Sequence, residues 1–128
     1  MTTLLDTHAL LWWLAGDAHL SGVAREIIGS PESTILVSAV SGWEITTKYR
    51  IGKLPSAGRL ALNFAASLTD QGFQPLPIAL EHAVRAGLLP GPHKDPFDRM
   101  LIAQALTLNV PLISNEVVFD GYGVHRIW

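Results

Sequence analysis

Short apolar runs alternate with helical segments along this chain of 128 residues, and the alternation restricts the fold more than any other feature. Apolar runs without polar alternation are typical of strands buried on both faces, as in parallel sheets covered by helices. The pattern therefore predicts an α/β fold with a central, mainly parallel sheet of four to five strands. The predicted strands are residues 4–5, 34–38, 74–78, 110–114 and 124–128, with the last at an edge of the sheet.

Capping residues and helix breakers mark the predicted helices between these strands. Gly16 is placed to end the first helix, Ser21 to begin the second and Gly52 to stop the third. Asp95 followed by Pro96 opens the last helix, because proline suits the first helical position. The predicted helices are residues 8–15, 22–28, 41–49, 57–68, 80–86 and 96–108.

The composition excludes several classes of protein. The chain has no cysteine, which rules out a disulfide scaffold, a cysteine-ligated zinc site, an iron–sulfur cluster and a thiol nucleophile. Hydrophobic residues make up 48% and charged residues 16%, so we expect one folded domain over residues 1–128 rather than a disordered chain. The net charge of −2 provides no overall basic field for nucleic acid. The apolar run at 9–15 is too short to cross a membrane and follows no basic leader, so we expect a cytoplasmic protein without a membrane partner.

Four carboxylates fall where predicted strands end or where helices begin. Asp6 ends the first strand, Glu44 lies early in the helix after the second, Asp98 lies in the first turn of the last helix, and Glu116 follows the fourth strand. If the strands are parallel, these side chains approach one edge of the sheet, where ligands bind in open α/β folds. Carboxylates brought together repel one another unless a cation compensates, and Mg²⁺ or Mn²⁺ prefers such oxygen ligands.

Each acid also has a purely structural interpretation. Asp6 can cap the helix that follows it, and Glu44 can be a first-turn acid favoured by the helix dipole. Asp95 can cap the helix that Pro96 begins, with Asp98 at a position where an acid supports the cap. The functional interpretation depends on the convergence of these positions at one edge.

Several blocks of the sequence, taken in order, resemble the PIN-domain ribonucleases, and among them the VapC-type toxins of bacterial type II toxin–antitoxin pairs. No block is specific by itself, but the ordered set covers nearly the whole chain. The blocks are Leu5-Asp6-Thr7-His8, Trp43-Glu44-Ile45, Asp95-Pro96-Phe97-Asp98 and Ser114-Asn115-Glu116.

The resemblance implies a PIN-like three-layer α/β/α fold and a Mg²⁺- or Mn²⁺-dependent endoribonuclease that hydrolyses RNA phosphodiester bonds. It implies that Asp6, Glu44 and Asp98 are the central metal ligands and that Glu116 takes the fourth acidic position. The family usually has an aspartate at this position. The side chain of Glu116 is longer by one methylene, which affects whether a second metal ion is held there.

Other polar residues near these acids are candidates for supporting the site or contacting substrate. The hydroxyls of Thr7, Ser38 and Ser114 are expected to hold carboxylates, although hydrogen bonding at strand ends is the alternative for each. Asn115 offers an oxygen if the backbone turns differently, and Asp95 and Arg99 flank the acid at 98. Basic residues cluster here and after Glu44, where they either contact RNA phosphates or form a solvated helix face. They are Lys48, Arg50, Lys53, Arg59, Lys94 and Arg99.

The resemblance also implies partners, namely a cognate antitoxin protein and a second copy of the chain in a homodimer. Trp12, Trp13 and Trp43 are predicted to be core or interface residues rather than platforms for nucleic-acid bases. The alternative function is a catalytically weak PIN domain that acts as an antitoxin-binding regulatory module. A metal-dependent phosphatase or a DNA-cleaving nuclease of related architecture is a third interpretation.

Overall fold

Five strands form one parallel sheet in the computed structural model, which describes residues 1–128. The strands are β1 (Thr2–Leu5), β2 (Thr34–Ser38), β3 (Gln74–Leu76), β4 (Leu112–Ile113) and β5 (Arg126–Ile127). Their order is β3-β2-β1-β4-β5, and every neighbouring pair is parallel. In the register, Leu4 lies opposite Leu36 on one side and Leu112 on the other. The predicted parallel sheet is therefore confirmed, with five strands.

Helices cover both faces of the sheet and complete the expected three-layer α/β/α fold. They are α1 (Thr7–Ala15), α2 (Gly22–Gly29), α3 (Ala39–Arg50), α4 (Gly58–Leu62), α5 (Phe64–Gln71), α6 (Leu80–Leu88) and α7 (Pro96–Leu108), with 3₁₀ helices at Pro55–Ala57 and Val117–Tyr122. Successive side chains of a strand point to opposite faces, so Leu5 joins one buried apolar cluster and Leu4 the other. Two cores thus lie on either side of one thin sheet.

Local sequence signals account for most helix ends. Gly16 ends α1 in the left-handed conformation (φ 63°), and the Ser21 hydroxyl accepts a hydrogen bond from the backbone N–H of Ala24 at the start of α2. The helix predicted over 57–68 is instead broken at Asn63, whose backbone is non-helical and whose side chain donates to the carbonyl of Arg59. An asparagine that bonds the backbone in this way competes with helix propagation.

The strands at the sheet margins are shorter than predicted. β3 ends at Leu76 because it is an edge strand that contains Pro75, which lacks an N–H, and Pro77 follows directly. β4 covers only Leu112–Ile113 of the predicted 110–114.

The strand order reverses its direction between β1, the central strand, and its neighbour β4. In open α/β folds, ligands bind outside the carboxyl ends of strands at such a switch point. Asp6 follows β1 and Ser114 follows β4, so both residues lie at this position. No helix is long and apolar enough to cross a membrane.

Candidate active site

Asp6 is the most deeply placed acid of the predicted site. Its side chain is nearly buried, with 4% of the residue exposed, and its Oδ1 accepts a 2.7 Å hydrogen bond from the backbone N–H of Ala9. The pKa of Asp6 is raised to about 6, chiefly by burial and to a smaller extent by Glu116, while hydrogen bonds from Ser114 and Ala9 and the nearby His8 oppose the shift. The carboxylate therefore caps α1 and also holds a charge that the fold does not fully compensate.

Glu44 is buried on α3 with both carboxylate oxygens engaged. The Thr7 hydroxyl donates to Oε1 at 2.6 Å, and Lys48 Nζ lies 2.6 Å from Oε2. Thr7 Oγ1 also lies 3.1 Å from Ser41 Oγ, so a chain of buried hydroxyls orients this acid. Burial alone would lower the pKa of Lys48, but the bond to Glu44 and the charges of nearby acids raise it overall. Lys48 is thus held as a cation inside the acidic cluster.

Asp98 lies in the first turn of α7, where Asp95 caps the helix by accepting from the backbone N–H groups of Phe97 and Asp98. Its Oδ2 is 2.8 Å from Nε2 of His93. Burial raises the pKa of Asp98 to about 6; Asp95 and Glu116 act in the same direction, and His93 opposes them. Asp95 is a helix cap as well as a second negative charge beside Asp98.

Glu116 comes two residues after Ser114 and is the most exposed of the four acids. Its backbone N–H donates to Ser114 Oγ at 3.0 Å, which shapes the turn after β4. Its Oε1 lies 3.6 Å from Nδ1 of His8, and both side chains are substantially exposed. Asn115 is exposed and its side chain makes no hydrogen bond.

The four acids lie near the same sheet edge, as the topology predicts. The charge of Glu116 raises the pKa of both Asp6 and Asp98. The charges of Glu44 and Asp98 both raise the pKa of Lys48. The donor set consists of carboxylate oxygens, which suits Mg²⁺ or Mn²⁺. In the described conformation no three acid or histidine side chains are close enough to hold one ion together. Holding one ion between these acids would therefore require their side chains to move closer together.

Two of the predicted supporting residues make contacts elsewhere in this structure. Ser38 is fully buried, and its hydroxyl accepts from the backbone N–H of Val40, so it caps α3 rather than holding a carboxylate. Arg99 forms no ion pair with Asp98. Instead, its guanidinium donates to three backbone carbonyls of the preceding segment, those of Ala86, Leu89 and His93.

Sequence reasoning missed three contacts of the site. Glu44 and Lys48 are four residues apart on one face of α3, a helical signal that could have been recognised. The contact of Ser41 with Thr7 joins two helices and gave no such signal. His93 is a loop residue that the sequence placed near Asp98 either as a substrate contact or as an exposed side chain, and no local pattern predicts its contact with the Asp98 carboxylate.

The tryptophans agree only in part with the expectation of core or interface positions. Trp12 and Trp13 are half-buried against one core cluster, and Trp13 donates to Gln71 at 2.9 Å. Trp43 is 59% exposed, with its ring in an edge-on contact with Phe97.

A family model described as PIN domain matches residues 3–124. The chain therefore belongs to the PIN domain family. The narrower resemblance to the VapC toxins of VapBC pairs is confirmed in the fold by the solved structures that match nearly the whole chain. No curated protein matches the sequence.

Three solved structures illustrate this similarity. VapBC2 from Rickettsia felis, bound to a DNA fragment from its promoter, matches with a TM-score of 0.71 at 14% identity over 99% of this chain and 98% of that chain. VapBC-1 from nontypeable Haemophilus influenzae matches with a TM-score of 0.68 at 16% identity over 99% and 97%. VapC20 from Mycobacterium tuberculosis, a sarcin–ricin loop cleaving toxin, matches with a TM-score of 0.68 at 17% identity over 95% of each chain.

Proposed function

We propose that this chain is a Mg²⁺- or Mn²⁺-dependent endoribonuclease that hydrolyses RNA phosphodiester bonds and acts as the toxin of a toxin–antitoxin pair. One observation carries the proposal. Four carboxylates lie near the switch point of the sheet, and the pKa values of Asp6 and Asp98 are both raised to about 6. Perturbed carboxylates of this kind, gathered at a ligand-binding edge, are typical of functional sites.

In this proposal Asp6, Glu44 and Asp98 hold the ion, and Glu116 completes the site. When bound, the ion would lower the pKa of its water, neutralise the phosphate and orient in-line attack. Thr7 keeps the Glu44 carboxylate in place by a 2.6 Å hydrogen bond, and Asp95 holds the first turn of α7 that presents Asp98.

Cationic side chains around the acids can contact the RNA backbone. Lys48 lies beside Glu44, where its ammonium group would be available to a phosphate bound at the acids. Lys94 is exposed on the loop before Asp95 and forms no ion pair. Contacts between such residues and phosphates would make the affinity for RNA fall as the salt concentration increases.

The solved relatives support the biological part of the proposal. VapC20 is described as a toxin that cleaves the sarcin–ricin loop, and VapBC2 is a toxin–antitoxin complex bound to promoter DNA. By analogy, we propose a cognate antitoxin protein as the partner of this chain and an intracellular RNA as its substrate.

The activity is tested with purified protein freed of any antitoxin. Total RNA, transfer RNA and single-stranded DNA are incubated with Mg²⁺, Mn²⁺ or EDTA, and products are resolved by gel electrophoresis. We expect RNA cleavage in Mn²⁺ that EDTA abolishes and that Asp6→Asn and Asp98→Asn each reduce strongly. Glu26→Gln, which changes an exposed acid on α2, is the matched control and should cut like the parent. Intact RNA in Mn²⁺, or full activity of both site variants, would refute the proposal.

A catalytically weak, antitoxin-binding module is the second candidate, and one observation favours it. Glu44, Asp98 and Glu116 each already face a basic side chain of the chain itself, Lys48, His93 and His8 respectively. Under this alternative, the protein forms a stable antitoxin complex yet leaves RNA uncut at every metal concentration.

The homodimer is also a proposal, and α6 supports it. Leu80, Val84 and Leu88 recur at helical spacing and are 82%, 52% and 78% exposed, which is an apolar stripe that a second copy could cover. Light scattering after size exclusion should give twice the monomer mass, and Leu80→Ser with Leu88→Ser should reduce it. A monomeric parent at micromolar concentration would refute the homodimer.

A further inference from the structure

A cavity of about 740 Å³ lies beside the acidic cluster, and none of the predicted roles involves it. The loop 89–93 forms one wall, and the 3₁₀ helix Val117–Tyr122 forms the other. The size falls within the range of cavities that bind small ligands, roughly 300–1,000 Å³. Most of the lining is apolar and includes Leu89, Leu106 and Val118.

The loop wall is held rigidly from both sides. Arg99 bonds the carbonyls of Leu89 and His93 from behind, and the His93 backbone N–H donates to the Tyr122 hydroxyl at 2.9 Å. Gly91 packs so closely on Tyr122 that a Cβ would lie 2.6 Å from the hydroxyl oxygen, and its φ of 98° also favours glycine. The cavity is therefore formed before any ligand binds.

The cavity and the acidic cluster share a residue. His93 lines the cavity, and its ring nitrogen lies 2.8 Å from Asp98. The opposite wall begins one residue after Glu116. A molecule whose phosphate lies at the acids can therefore place its next group in the cavity.

From this geometry we infer that the cavity binds one unstacked nucleobase of the RNA next to the cleaved bond, an inference that rests on the proposed ribonuclease function. Proteins recognise RNA sequence mostly through bases that are splayed out of the chain and placed against flat apolar or aromatic groups. The apolar lining suits the faces of a base. The Tyr122 oxygen accepts from His93, which leaves its own O–H to donate to an acceptor on the edge of the base. Lys94, the exposed residue after His93, is placed to contact the flanking phosphate.

A second depression on the surface suits a peptide better than this cavity does, because of the residues that line it. A groove of about 520 Å³ runs along α1 and is lined by apolar residues such as Leu11 and Leu60, with Asp17, Arg59 and Asp70 among its polar residues. An apolar groove that contains charges of both signs suits an amphipathic segment of a protein partner. The cavity beside His93 contains no acidic residue and adjoins the acids that would face the cleaved bond.

Filling the cavity tests the inference. Gly121 lines it, and a Cβ built there meets no atom within 4 Å, so the first side-chain atom of Gly121→Leu is accommodated and the rest adds bulk. Gly22→Leu on α2 is the matched control, since a Cβ there is equally unobstructed but lies outside the cavity. Val118→Trp is a second filling variant for use if Gly121→Leu unfolds in a thermal melt.

Two measurements are made on the full chain. The first is the cleavage rate and the base preference beside the cut on a randomised RNA in Mn²⁺. The second is the affinity of the Asp6→Asn protein for a short oligoribonucleotide, with and without Gly121→Leu. We expect filling to weaken binding by roughly 5- to 100-fold, the range for losing one stacked base, and to flatten the base preference. Gly22→Leu should change neither.

The outcomes separate this inference from the ribonuclease proposal. Unchanged base preference and unchanged affinity in both filling variants would overturn the base-binding role even if the parent cuts RNA. Normal cleavage combined with loss of inhibition by an antitoxin would likewise overturn it and assign the cavity to a protein. If the parent cuts no RNA but filling the cavity still weakens oligoribonucleotide binding, the base-binding role is supported and the ribonuclease proposal is refuted.

Discussion

The two halves of the acidic cluster differ in how firmly the fold holds them. The inner pair, Asp6 and Glu44, is almost fully buried and bonded by the Ala9 N–H and the Thr7 hydroxyl. The outer pair, Asp98 and Glu116, is more exposed and faces histidine side chains, His93 from a loop and His8 from the surface of α1. The inner pair is therefore preorganised, whereas the outer pair can adjust to what binds. Changes to the inner pair should have the larger consequences.

The largest effect is expected for Asp6→Asn. Asparagine caps helices as well as aspartate, so α1 should remain intact, while the buried charge is lost. RNA cleavage should fall by more than the roughly 10- to 100-fold typical of changes to residues that only orient metal ligands. Initial cleavage rates together with thermal unfolding test this. A variant that cuts within tenfold of the parent would show that the inner pair is not the centre of the site.

The pH dependence of stability should show the cost of burying the Asp6 carboxylate. The pKa of Asp6 is about 6 in the folded protein against 3.8 for an ordinary aspartate, so the folded state binds this proton more tightly than the unfolded state. The stability that this protonation contributes is fully present below pH 3.8 and is lost as the pH rises through 6. Without metal, this lowers the free energy of unfolding by up to about 3 kcal/mol between pH 4 and pH 7. Urea unfolding in EDTA at several pH values measures it. The difference between the parent and Asp6→Asn should grow with pH, and a constant difference would contradict the assignment.

Thr7→Val should weaken the inner pair without removing an acid. Glu44 loses the 2.6 Å hydrogen bond that orients it, so Mn²⁺ affinity is expected to fall by about 10- to 100-fold. Titration calorimetry measures this loss. Thr46→Val is the control, because the Thr46 hydroxyl bonds only backbone carbonyls of its own helix. Equal affinities for the two variants would mean that Thr7 has no orienting role.

The smallest effect is expected for His8, the exposed partner of Glu116 in the outer pair. His8 and Glu116 are 3.6 Å apart and exposed, and such pairs contribute at most about 1 kcal/mol. Because about 1 kcal/mol corresponds to about a fivefold change in rate, His8→Gln should change the rate of RNA cleavage by less than about fivefold. A loss as large as that of Thr7→Val would remove the distinction between the two halves.

The sequence was sufficient for the fold because its signals are local. The apolar run at 34–38 and the capping residues around Gly16 and Ser21 form the predicted elements. The break at Asn63 was not predicted, since it depends on a side chain that bonds the carbonyl of Arg59 rather than on the apolar pattern.

The sequence by itself determined which acids reach the carboxyl edge of the sheet. In a parallel sheet, the residue after each strand emerges at the same edge, so the positions of Asp6 and Glu116 follow from the strand pattern alone. The contact between Glu44 and Lys48 also follows from helical spacing.

Only the tertiary structure decided which groups from other segments face these acids. Arg99 and His93 lie six residues apart around a helix start, and the packing of the loop turned the arginine toward carbonyls and the histidine toward Asp98. The cavity beside His93 likewise depends on Tyr122, 29 residues further along the chain. Such contacts join segments distant in sequence, and their side-chain directions are determined by packing, for which no local pattern exists.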